Sequence, residues 1–234
     1  MDRRLEQLYN LIPVNGRGVI DVGTDHGQIP ISLARSQYTG NIYASDIVTG
    51  PLNIAREAAR ATKTEGRIHF MLCNGLELCP AESVDTIIIA GMGGDTICGI
   101  LDRVDWIFSG YYKLILQPMT RAEVLRYWLV HNEFLIDKEA VIVDDSHVYQ
   151  IFTASNGKSP KYSDAEYLVG RCSIPRLGDA IGHVISHQLL MIQKKLSGIQ
   201  KAGRDDSSEY AFFASIAYEL TEMNTIFGDK NGKR

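Results

Sequence analysis

The sequence predicts a doubly wound, Rossmann-like α/β fold followed by an antiparallel helical hairpin. Three observations carry that reading. Over the first 155 residues, short apolar β-branched runs alternate with helix-like stretches. The first run, Gly18 to Val22, leads directly into the glycine loop Asp21-Val22-Gly23-Thr24-Asp25-His26-Gly27, and a helical pattern follows from Gln28 to Arg35. Beyond residue 163 the apolar spacing becomes that of long helices.

The elements follow in order. Arg17–Val22 reads as a first strand and Gln28–Arg35 as its helix. Asn41–Asp46 is a second strand, and Pro51–Ala61 a helix with proline in its first turn. Arg67–Leu72 is a third strand. Val84–Ala90 is a near-continuous β-branched run, the signature of a central strand covered on both faces. Thr96–Leu101 is a short helix, and Lys113–Gln117 a fifth strand ended by Pro118. Arg121–His131 is helical, with Leu125, Trp128 and Leu129 on one face. Phe134–Val143 and His147–Ala154 form a β-hairpin around Asp144-Asp145-Ser146.

Asn156–Ser163 has linker chemistry. After it, Ile181, Ile185, Gln188, Ile192, Leu196 and Ile199 make one helical seam, and Phe213, Ala217, Leu220, Met223 and Phe227 a second. Gly203–Ser208 turns between them. The division expected is residues 1–157 and a coiled-coil-like helical unit at 163–228, with the tail Gly228–Arg234 frayed.

Composition is that of an ordinary globular chain: 45% hydrophobic and 22% charged in 234 residues. No apolar run reaches the roughly 20 residues of a membrane span. The charged start, Met1 to Tyr9, lacks the apolar core of a signal peptide. Cys73, Cys79, Cys98 and Cys172 include no C-x-x-C pair and read as reduced thiols, so a cytoplasmic protein is expected. His69, His131, His147, His183 and His187 do not cluster with acids at metal-ligand spacing, and no metal is expected. Net charge is −4, divided into −6 over residues 1–150 and +2 over 151–234. The last third is the relatively basic part.

The chemistry of the first loop lies in what it lacks. A dinucleotide fingerprint needs G-x-G-x-x-G so that backbone can approach a pyrophosphate. Here Gly23 and Gly27 are spaced G-x-x-x-G, with Asp25 between them. A carboxylate there repels phosphate and favours an adenosine that carries positive charge. S-adenosylmethionine (SAM), with its sulfonium and ammonium, is such a ligand. A plain strand-to-helix turn also uses glycine, so both readings stand at this point.

Further residues cluster at strand ends. Asp46 ends the second strand, where a carboxylate accepts ribose hydroxyls or complements the next helix. Asn74-Gly75 follows the third strand and suits an adenine edge or a simple turn. Ala90-Gly91-Met92-Gly93-Gly94 follows the fourth, reads as a wall between cofactor and substrate, and precedes Asp95. Gln117 ends the fifth strand, its amide either reading a base or satisfied by backbone. His26 is a proton shuttle or a structural loop residue. Lys194, Lys195, Lys201 and Arg204 give the first appended helix a basic side, suited to an RNA backbone or simply to solvent.

Four segments together, D-V-G-T-D-H-G-x-I-P-I (21–31), A-S-D-I-x-x-G-P-L (44–52), I-A-G-M-G-G-x-x-I (89–97) and L-I-L-Q-P (114–118), resemble the bacterial tRNA (adenine-22-N1)-methyltransferase family. The resemblance implies a SAM-dependent enzyme of the seven-stranded methyltransferase order that methylates an adenine N1 in tRNA; tRNA is the expected partner, and a monomer is expected. It assigns Gly23, Thr24, Asp25, His26 and Gly27 to the cofactor loop. Asp46 and Ile47 fall at the ribose strand end, Asn74 and Gly75 at the adenine turn, and Ala90, Gly91, Met92 and Gly93 with Gln117 at the catalytic loops. Asp25 and Asp95 are candidates to stabilise the charge that moves onto the base, with Gln117 as its reader. Two departures stand out: Cys73-Asn74-Gly75 where the family has G-D-G, and Met119 where it often has Asn. A methyltransferase acting on a small molecule or protein, and a non-catalytic nucleotide- or RNA-binding scaffold, are the alternatives.

Overall fold

The structure is a computed structural model and describes residues 1–144, 147–171, 176–177 and 180–227. One mixed sheet organises it. Strands β1 (Gly18–Val22), β2 (Asn41–Asp46), β3 (His69–Leu72), β4 (Thr86–Gly93) and β5 (Lys113–Thr120) run parallel, joined through α2 (Gln28–Arg35), α3 (Thr49–Ala61) and α4 (Gly94–Leu101). After α5 (Ala122–His131) the hairpin β6 (Phe134–Asp144) and β7 (His147–Asn156) closes the sheet, with β7 antiparallel to β5. The order is β3-β2-β1-β4-β5-β7-β6-β8.

The first seven strands have the expected order. The eighth was not expected: Arg176–Leu177 (β8) adds two parallel rungs to the outer edge of β6, opposite Glu139 and Ala140. Such a short run has no period to read. Two helices also went unread, α1 (Arg3–Asn10) and α6 (Asp164–Val169). Asp2 caps α1 by accepting from the Leu5 N–H, and Ser163 with Glu166 forms a capping box on α6.

The strands carry side chains to both faces, as their pleat dictates. On one face Ile20, Ile87, Ile89, Leu114 and Leu116 pack with Ile97, Leu101, Leu125 and Leu129 of α4 and α5. On the other, Val19, Ile42, Ile88 and Ile115 pack with Leu8 of α1, Ile29 and Leu33 of α2 and Ala59 of α3. A third cluster joins α6 to α7 (Ile181–Lys201) and α8 (Ser208–Phe227) through Ile185, Ile192, Ile216, Leu220 and Met223, and reaches the sheet at Val141.

β5 runs on through Pro118 to Thr120, past its expected end at Gln117. The described pairing of β5 with β7 stops at Leu116, so a residue without an N–H costs no rung on that side. Asp145 and Ser146 of the expected hairpin turn, Cys172, and the tail from Gly228 lie outside the described residues. Cys73 and Cys98 are buried free thiols; burial pushes Cys98, and with it the half-buried Cys79, up to about 12.

Candidate functional site: an acid-lined crevice at the carboxyl edge

Strand β1 sits where the strand order reverses, between β2 and β4. Crevices form there, beyond the carboxyl ends of the strands. A cavity of about 980 Å³ opens at this place, lined among others by Asp21, Gly23, Thr24, Asp25, His26, Asp46, Ile47, Asn74, Gly75, Ala90, Gly91, Met92 and Asp95.

The loop after β1 is shaped by β2. The N–H groups of Gly23 and Thr24 both donate to the Ser45 carbonyl, at 2.8 and 3.0 Å. That bend needs left-handed backbone at Gly23 (φ +70°) and places its α-carbon against the Met92 methyl, which a side chain would strike. Asp25 is also left-handed (φ +51°), a conformation Asp tolerates better than most residues. Its side chain is 69% exposed at the mouth, 3.6 Å from His26 Nε2.

Behind the loop lie two buried acids. Asp21 accepts from Thr24 Oγ1 at 2.7 Å, and desolvation raises its carboxyl to about 6, helped by nearby Asp46 and opposed by Thr24 and Arg4. Asp46 Oδ1 accepts from the Val48 N–H at 2.9 Å and Oδ2 from the Asp25 N–H at 3.4 Å. Asp46 therefore serves the start of α3 while remaining on the cavity wall.

The cavity gathers five carboxylates, Asp2, Asp21, Asp25, Asp46 and Asp95, against the guanidiniums of Arg4 and Arg103. This donor set disfavours a diphosphate and suits an adenosine with a cationic sulfur and ammonium. Among the described residues no group of three or more His, Cys, Asp or Glu side chains could hold a metal ion.

Three expected site residues do not line the cavity. Gly27 caps α2 in the left-handed region, and Gly93 pairs with Thr120 at the end of the β4–β5 ladder. Gln117 is fully buried and its amide hydrogen-bonds within the fold. Its Oε1 accepts from Arg4 Nη1 at 2.9 Å and from the Gly91 N–H at 3.1 Å, while Nε2 donates to the Pro118 carbonyl at 3.0 Å. Held this way, it fixes the loop after β4. Asp95 pairs with Arg121 at 3.0 Å, both more than half exposed.

None of Lys194, Lys195, Lys201 and Arg204 lines the cavity. Lys194 and Lys201, seven residues apart, share one exposed face of α7. Lys195 instead lies over the Phe213 ring at 3.9 Å, and Arg204 pairs with Glu209 at 3.1 Å.

The cavity also contains residues that sequence reasoning missed. Asp21 stood in the first motif, and a carboxylate inside the apolar run G-V-I-D-V was its signal. Arg4 comes from α1, legible in the spacing of Leu5, Leu8, Tyr9 and Ile12. Tyr149 enters because the β6–β7 hairpin outruns the sheet, which no local pattern announces.

Residues 1–152 match the methyltransferase-domain family. The chain belongs to that family. Among relatives of this methyltransferase-family chain is the tRNA (adenine(22)-N(1))-methyltransferase of Bacillus subtilis, 29% identical over 157 residues, 67% of this chain and 66% of that protein. The matched segment thus spans about two thirds of that relative's length. The solved TrmK of M. capricolum, in complex with S-adenosyl-homocysteine (SAH), is 26% identical with a TM-score of 0.79, covering 97% of this chain and 99% of that one. A Streptococcus pneumoniae protein in complex with S-adenosyl-L-methionine is 25% identical with a TM-score of 0.74, covering 95% and 98%. The resemblance drawn from the motifs is to the same family as these relatives.

Proposed function

We propose that this protein is a SAM-dependent methyltransferase acting on N1 of adenine 22 in tRNA. The observation that carries the reading is the acid-lined crevice at the β1 switch point, in a chain that matches nearly the whole length of a SAH-bound tRNA methyltransferase. Residues 1–157 hold the cofactor and present the base; residues 163–228 hold the tRNA. In this reading the protein works in the cytoplasm as a monomer.

Gly23, Thr24, Asp25, His26 and Gly27 form the cofactor loop. Asp46 and Ile47 take the ribose end, Asn74 and Gly75 the adenine, and Ala90, Gly91, Met92 and Gly93 separate cofactor from base. When bound, SAM would supply an electrophilic methyl, to which the adenine N1 lone pair would bond as the sulfur–methyl bond breaks and SAH leaves. The chain's task is alignment and charge stabilisation, with no general base needed at N1. Asp25 and Asp95 supply a negative field as positive charge develops on the base. Gln117 acts indirectly, by holding the Gly91 N–H. N1 lies on the Watson–Crick edge, so the base is turned out of its stack before reaction. Lys194 and Lys201, with Lys195 and Arg204 beside them, meet the tRNA backbone.

Methyl transfer from labelled SAM to an unmodified tRNA transcript, followed by nucleoside analysis, tests the reading. The expected product is 1-methyladenosine, abolished when adenine 22 is replaced by guanosine. Label in protein or in small molecules, with none in tRNA, overturns it.

A further inference from the structure

The crevice is polar in its layout. Asp21 and Asp46 lie on β1 and β2, while Arg4, Met119 and Tyr149 come from α1, β5 and β7. Four strand spacings separate β2 from β7 in the sheet order, about 19 Å at the usual interval. A volume of about 980 Å³ is at the upper end for one small ligand. The far half of the crevice has room for a second planar group.

That half is a built wall. The last described rung between β5 and β7 is Leu116↔Phe152, yet β6 and β7 stay paired five residues further, to Asp144↔His147. The hairpin therefore stands above the carboxyl edge of the sheet. Arg3 braces it from α1 by donating to the Val143 carbonyl at 3.3 Å. The Arg4 guanidinium lies over the Tyr149 ring, 5.6 Å from its centroid, and donates to Gln117, which holds the Gly91 N–H. One cation thus ties the aromatic wall to the loop that follows β4.

We propose that Tyr149 is the platform for the target nucleobase: an unstacked RNA base packs on its ring, and Arg4 is the positioning residue that fixes the ring relative to the Gly91 loop. An aromatic side chain beside a guanidinium at the edge of a deep crevice is the chemistry by which single-stranded bases are held. Asp21, Asp25 and Asp46 lie toward β1 and β2 and the Tyr149 ring toward β7, with Arg4, which also sits 3.9 Å from Asp2, between them. This rests on the tRNA-methyltransferase reading and names its base subsite.

The test compares wild type with Tyr149→Ala, Tyr149→Leu and Tyr149→Phe in the full chain. Three quantities are measured: kcat/KM for a tRNA transcript, affinity for a single-stranded oligoadenylate without turnover, and SAH affinity by calorimetry. Expected are losses of about tenfold or more in the first two for the Ala and Leu variants, near wild-type behaviour for Phe, and unchanged SAH affinity throughout. Should the Ala variant fail to hold SAH, the Leu variant, which keeps the volume, decides. Unchanged tRNA kinetics and oligoadenylate binding in the Leu variant overturn the platform while leaving the activity standing, as does a Phe variant as impaired as Leu. A wild type that binds oligoadenylate through Tyr149 but methylates no tRNA overturns the activity and keeps the platform. A wild type that binds no oligoadenylate and modifies no tRNA overturns both.

Discussion

Arg126 and Glu139 form a two-pronged ion pair, Nε to Oε1 at 3.2 Å and Nη2 to Oε2 at 3.0 Å, sealed from water on α5 and β6. Arg126 also donates to Gln150 and to the carbonyls of Tyr167 and Leu168, and lies over the Phe152 ring. The pair is the knot that ties α6 to the sheet.

Removing one partner leaves a buried charge unmatched. Arg126→Met is expected to lower unfolding free energy by about 3–5 kcal/mol in urea titration. Adding Glu139→Leu recovers part of it, because the stranded carboxylate is gone while the α6 carbonyls still lack a donor. Gly170→Ala strikes the same knot, since at φ +86° its methyl would meet the Glu139 carboxylate.

Gly23→Ala tests the cofactor loop. The left-handed strain dominates, since the Met92 methyl is the end of a flexible side chain that can swing aside, so SAH affinity falls by about tenfold. Gly23→Ala with Met92→Ala recovers the collision but not the strain. Full recovery of SAH binding by the double variant would show that backbone conformation at Gly23 is unimportant.

Asp21 predicts an unusual pH dependence. Burial holds its carboxyl at about 6 in the folded protein, against the ordinary 3.8. Between these values the folded protein keeps a proton that the unfolded chain has released. Its contribution is favourable below pH 3.8 and is lost as pH rises through about 6. At pH 7 the ionised buried group costs up to about 3 kcal/mol. Asp21→Asn therefore raises ligand-free stability at pH 7 more than at pH 5. A cationic ligand favours the carboxylate, so SAM affinity climbs through pH 6 in wild type and flattens in Asp21→Asn. Identical calorimetric profiles for the two proteins would exclude contact with the cation.

On the helical hairpin, the contacts separate four cations that sequence treats alike. Lys194→Glu and Lys201→Glu are expected to weaken tRNA binding and flatten its salt dependence, each by roughly one counterion. Lys195→Glu and Arg204→Glu cost less binding, since both side chains already have partners in the chain. SAH affinity stays constant in all four. Filter binding across a salt series reads these differences.

Asp95→Asn should lower kcat roughly tenfold with SAH affinity and melting temperature unchanged. Its exposed pairing with Arg121 adds little stability. Single-turnover kinetics separate this from a binding defect.

Much of the fold was legible because its signals are local. The helix at Gln28–Arg35 and the strand at Asn41–Asp46 appear with the bounds read from apolar spacing alone. The seams through Ile192, Leu220 and Met223 do form a buried cluster. What escaped depends on distant partners. Lys195 and Lys194 differ in their contacts because Phe213 lies under one of them. Gln117 faces inward because Arg4, 113 residues earlier, donates to it. Strand β8 exists because β6 offers an open edge, a circumstance invisible in two residues.

That short strand has a consequence of its own. A mixed sheet ending at β6 would display unsatisfied amide and carbonyl groups to any extended chain nearby, a template for uncontrolled stacking between molecules. Two rungs at Glu139 and Ala140 occupy the middle of that border. The segment that leads into α7 thereby also covers part of a border open to pairing with a second chain.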